Sequence, residues 1–164
     1  MMFRNIDALI REEAGSELIE FAICAPLLFA FIFGIIFFSM AVYANQFVAN
    51  AAKDAARFAA VRGSTWNGAI CSATSSYDCT ATSSDVTNFV VGALPPGLSS
   101  ANLSVSTSWP GKTTTGDACD TLNGANSPQC IVTIQVSYLF TFPLPFVKGG
   151  AIPMLANSSM TIEQ

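Results

Sequence analysis

The sequence predicts an α+β fold: a long N-terminal transmembrane and stalk helix, with a small three-stranded antiparallel sheet packed on its outer half. Three observations predict it. Residues 21–38 are 18 consecutive positions without a charged, amide or hydroxyl side chain, and about 20 such residues cross a hydrocarbon core at ~1.5 Å rise per residue. Beyond them, apolar residues recur at spacings of three and four as far as Arg62, the period of an amphipathic helix. Further on, short segments alternate apolar and polar residues with the period of a strand.

The chain divides into residues 1–15, 16–62 and 63–164. In the first segment Arg4 and Arg11 stand against Asp7, Glu12 and Glu13, and Ile6, Leu9 and Ile10 are spaced for a short amphipathic helix. The apolar run that follows is too long for a secretory signal and no small-x-small site closes it. Pro26 and Gly34 lie inside the run, which membrane helices tolerate better than soluble ones. Phe47, Val48, Ala51, Ala52, Ala55, Phe58, Ala59 and Val61 then mark an apolar stripe, with Asn45, Asn50, Lys53, Asp54, Arg57 and Arg62 between them. Nothing between Ile35 and Arg62 breaks a helix, and Gly63 is a natural stop. The 47 residues of 16–62 would extend about 70 Å, roughly twice a bilayer core.

The start of this helix reads Gly15-Ser16-Glu17-Leu18-Ile19-Glu20-Phe21. It resembles the prepilin processing motif, a short leader ending in Gly with Glu and an aromatic at the fifth and sixth mature positions. Glu20-Phe21-Ala22 with Pro26-Leu27-Leu28, and the later Asn50-Ala51-Ala52-Lys53-Asp54-Ala55-Ala56-Arg57-Phe58-Ala59-Ala60, resemble TadE-like proteins, the minor pilins or pseudopilins of tight-adherence (Tad/Flp) pilus systems. The resemblance implies a structural role in assembling or priming a pilus. It also implies cleavage between Gly15 and Ser16 by a prepilin peptidase, insertion in a bacterial inner membrane, and partnership with other pilin subunits and the pilus assembly machinery. Glu20 stands immediately before the apolar run, where an ionisable group is costly unless paired or held in the interface. In the pilin reading it pairs with the amine that cleavage frees on Ser16 and, with Phe21, sets the register of one helix against another.

Five cysteines bear on topology. Cys24 lies in the apolar run and is expected to pack there as a small buried hydrophobe. Cys71, Cys79, Cys119 and Cys130 all follow the membrane segment, and an even number in a small Ser/Thr/Gly-rich domain reads as two disulfides in an oxidising compartment. The C-terminal domain is therefore expected outside the cytoplasm. Of three possible pairings, Cys71 with Cys79 and Cys119 with Cys130 each close a short loop. A zinc site is the rival reading, but these spacings are unlike the usual C-x₂₋₄-C hooks.

Within 63–164, a polar loop over 63–82 precedes a short helix over 85–93, capped by Ser84 or Asp85 and ended by Leu94-Pro95-Pro96-Gly97. Strands are expected at 102–108, at 130–140 and at 155–162, the second with Val132, Ile134, Val136, Tyr138 and Phe140 on one face. Residues 142–153 read as a proline-broken loop. Leu139, Phe140, Phe142, Leu144 and Phe146 form an apolar patch that is either core cover or a subunit contact.

Chemistry is thin. The chain has no His, the commonest general base and metal ligand, and the ten Ser and Thr hydroxyls of 63–84 have no evident activating base. Asp117, Asp120, Asn123 and Asn126 share a Gly-containing loop, but their spacing is not that of an EF-hand. The formal net charge of −4 is spread without a basic block, so no nucleic-acid partner is expected. No enzyme activity, metal or cofactor is expected, and the alternative to the pilin reading is a membrane-anchored extracytoplasmic binding module.

Overall fold

The computed structural model describes residues 4–63, 81–119, 127–142 and 150–163. Helix α1 runs Arg4–Val61 with Pro26 inside it. It starts well before Gly15, so the expected leader and the membrane segment share one helix. The chain forms two compact units, residues 1–40 and residues 41–164.

In the first unit the side chains described are almost all exposed, Leu18, Phe21, Leu27, Phe31 and Phe38 each by more than two thirds. Cys24 is free and exposed, so its expected packing inside the chain is not found. The hydroxyl of Ser39 donates to the Ile35 carbonyl at 2.8 Å, satisfying a polar group inside the helix itself.

In the second unit, the last five turns of α1 are followed by helix α2, Ser83–Gly92, a 3₁₀ turn at Ser100–Asn102, and strands β1 Leu103–Ser108, β2 Ile131–Thr141 and β3 Ala151–Thr161. The sheet has the order β1-β2-β3 and both pairings are antiparallel. Because side chains alternate across a strand, one face of β2 carries Val132, Ile134, Val136, Tyr138 and Phe140, all buried as expected. They join Ala44, Val48, Ala51, Ala52, Ala55, Ala56, Ala59 and Ala60 of α1 and Val86 and Val90 of α2 in one core. All six α1 positions from Ala51 onward in this cluster are alanine, and small side chains let a helix backbone approach the sheet closely. Tyr138 is buried with its hydroxyl accepting from the Ser99 amide at 3.1 Å, which meets the need of a buried phenol for a partner.

Two expectations about local structure need correction. The cap of α2 is Thr82, in a capping box: its hydroxyl accepts from the Asp85 amide, and the Asp85 carboxylate accepts from the Thr82 amide at 2.9 Å. Residues 151–153, expected in a loop, belong to β3, which therefore includes Pro153. The Ile162 amide donates to the Cys130 carbonyl. Hydrogen-bonded pairs recur at every second residue of an antiparallel ladder, so Pro153, opposite Leu139, falls where an N–H would point away from β2. A proline is tolerated at such an edge position. The apolar run at the end of β2 divides by parity: Phe140 is buried and meets Phe142 edge-on at 5.0 Å, whereas Leu139 is half exposed.

Cys119 and Cys130 form the expected disulfide. The Cys119 amide donates to the Gly111 carbonyl at 3.0 Å, so the bridge ties the 111–119 turn to the start of β2. Cys71, Cys79, Leu144, Phe146, Asp120, Asn123 and Asn126 lie outside the described residues.

Candidate functional site

The first candidate is the membrane-facing part of α1. Residues 21–38 expose apolar side chains all round the helix, as a segment surrounded by lipid requires. Phe29, Phe33 and Phe37 stack at successive four-residue spacings, with ring centroids 6.3 and 6.4 Å apart. A side chain added at Gly34 would meet nothing within 4 Å, so the glycine is not needed for packing inside this chain. Glu20 and Phe21 lie in α1, both exposed, at the N-terminal mouth of the run. Ser16 is exposed one helical turn earlier, and the i to i+4 spacing of Ser16 and Glu20 places them on one face. Gly15 lies within the helix.

The second candidate is a groove that sequence reasoning did not find. At the C-terminal end of α1, Asp54, Arg57, Phe58, Val61 and Arg62 meet Phe89 of α2 around an open cavity of about 330 Å³. Phe58 and Phe89 stack at 4.6 Å, and the Arg62 guanidinium lies 4.2 Å above the Phe58 ring, a cation–π arrangement. The Arg62 carbonyl also accepts from the Ala81 amide at 2.9 Å, fixing the chain where it leaves α1. The sequence placed Phe58 in the apolar stripe and Arg62 among the polar positions; Phe89 reaches them through the fold.

Neither place resembles a catalytic centre. Among the described residues no three His, Cys, Asp or Glu side chains come together to hold a metal ion. Asp117 is engaged in its own turn: its carboxylate accepts from the Thr115 hydroxyl at 2.9 Å and its amide donates to the Thr113 hydroxyl at 3.1 Å.

A helix over Ser16–Val61 that is long and apolar enough to cross a membrane, continuing into an α+β unit closed by a disulfide, fits a single-pass membrane protein. The family model for TadE-like proteins matches residues 15–57, so this helical segment is similar to the helix of that family. The match begins at Gly15 and ends in the groove-lining turn at Arg57. No curated protein and no solved structure matches the chain.

Proposed function

We propose that this protein is a minor pilin or pseudopilin that serves the assembly or priming of a tight-adherence pilus from a bacterial inner membrane. The observation that carries the reading is that the TadE-like match starts at Gly15 and spans the whole apolar run. In this account a prepilin peptidase removes residues 1–15 and leaves Ser16 as the new N-terminus. The apolar run holds the subunit in the bilayer until it is extracted, and its exposed faces then pack on the helices of other subunits. Glu20 lies one turn from the freed amine, a spacing that supports a charge pair within the chain or between neighbours. Such a pair aligns helices axially, the best-attested use of a charge in an apolar interface. The disulfide-closed unit of 63–164, with the second bridge at Cys71 and Cys79, stands outside the cytoplasm, since disulfides persist in oxidising compartments.

The role is structural: the exposed helix and the sheet supply contact surfaces, and its partners are pilin subunits and the assembly machinery. The test is deletion and complementation in a host that makes Tad pili. Loss of surface filaments on deletion, restored by the full chain but not by a chain lacking residues 16–40, is the expected result. Normal filaments after deletion would remove the assembly role.

A further inference from the structure

Among the described residues no further strand pairs with β1 or β3, and the two edges match. Since β1 and β3 are each antiparallel to β2, they run parallel to one another. In β3 the alternate residues Leu155, Asn157, Ser159 and Thr161 share the parity of Pro153, so their amides and carbonyls point away from β2. In β1 the same reasoning turns the backbone of Val105 and Thr107 outward, because Ser104, Ser106 and Ser108 pair with Ser137, Gln135 and Thr133 on the β2 parity that faces β1.

An unpaired strand edge is a template for another strand unless it is protected by charge, bulge or proline. No charged residue occurs anywhere in β1 or β3, and Pro153 lies near the start of β3, leaving the eight residues 154–161 unprotected. The inward face of β3 is also incompletely covered: Ile152 and Met160 point to the core side yet are 44% and 36% exposed. At the opposite edge of the sheet, on the same core face, α2 packs beside β1.

We propose that the β3 edge of one copy receives the β1 edge of a second copy, in parallel, so that the sheets of neighbouring subunits join into one. The occupant must be extended, because only another strand satisfies outward amides and carbonyls repeating every second residue. It must be uncharged, because a charged strand would find no partner on either face. β1 meets both needs: Leu103, Val105 and Thr107 fall beside Met154, Ala156 and Ser158 on the core face, and Ser104, Ser106 and Ser108 beside Leu155, Asn157 and Ser159 on the other. The α2 that accompanies β1 then comes over the neighbour's uncovered Ile152 and Met160. This contact is heterologous, repeats from copy to copy and generates an open array. It also keeps every copy in the same orientation, as single-pass anchoring in one membrane requires. The proposal concerns contacts between copies of this chain and does not depend on the pilus reading.

The test uses the full chain in native membranes in a Cys24→Ser background. Asn157→Cys is combined in turn with Ser104→Cys, Ser106→Cys and Ser108→Cys, and mild oxidation is followed by non-reducing electrophoresis. A ladder of multimers from at least one combination, absent from each single variant, is expected. Adding Leu155→Pro, which deletes an outward amide and leaves the β2 ladder intact, should lower the crosslinked fraction at least tenfold while protease resistance of the folded unit is retained. Ala156→Pro, which deletes an amide facing β2, should lose that resistance and serves as the control for unfolding. The proposal is overturned if none of the three combinations crosslinks, if Asn157→Cys alone gives the same dimers, or if Leu155→Pro leaves the ladder unchanged in a folded protein.

Discussion

Replacing both Cys119 and Cys130 by Ala should destabilise residues 41–164 measurably without altering the fold. The two cysteines are joined over a sequence separation of 11, and the loop-closure model assigns a bridge of that span about 2.8 kcal/mol through restriction of the unfolded chain. Both side chains are fully buried, so losing the sulfurs removes a little packing as well. For a unit of this size the cost corresponds to a fall in melting temperature of roughly 10 °C. Thermal unfolding followed by near-ultraviolet circular dichroism, on full-length protein in detergent, would measure it, with the wild type in reductant as a second arm. The reductant arm should fall at least as far, because it also opens the proposed bridge between Cys71 and Cys79. A double variant that melts within about 2 °C of the oxidised protein would refute the reasoning that this loop depends on its bridge for order.

Three further outcomes follow from the packing and the proposed role. Ile134→Ala, at a fully buried site in the middle of the central strand, should cost about 2–5 kcal/mol in denaturant unfolding, whereas Gln135→Ala on the exposed face should stay within about 0.5 kcal/mol. Thr82→Ala removes the hydroxyl that accepts from the Asp85 amide and should cost about 0.5–2 kcal/mol by the same measurement. Glu20→Ala should abolish or sharply reduce surface filaments while Glu17→Ala, the same charge about one turn earlier, leaves them; equal damage from both would end the specific role given to Glu20.

Much of this architecture could be read from local pattern. The alternation of Val132 to Phe140 defined both the central strand and its buried face, because a half-buried strand has a strict period of two. The alanine-rich stripe of α1 gave most of its core face for the equivalent helical reason, although Val61 is exposed and Ala44, Ala56 and Ala60 also lie in the core. The failures also have physical causes. Pro153 was read as a break because its compatibility depends on which way its nitrogen points in the ladder, and that depends on the pairing register. Thr82 was missed as a cap because its box closes with Asp85, where Glu or Gln is the commoner partner. The groove was invisible because Phe89 joins Phe58 and Arg62 only through the tertiary packing of α2. Cys24 was expected to pack within the chain because an apolar run suggests burial, but the apolar surroundings of a membrane helix are lipid or other helices.

The central claim is that a pilin-type helix is processed after Gly15 and carried into a filament. The most direct measurement is the N-terminal sequence and intact mass of the protein recovered from sheared surface filaments and, separately, from membranes of the same cells. The account predicts a chain beginning Ser16-Glu17-Leu18 in the filament fraction. Recovery of only the full 164-residue chain in a host with an active pilus system, with none in the filaments, would contradict it.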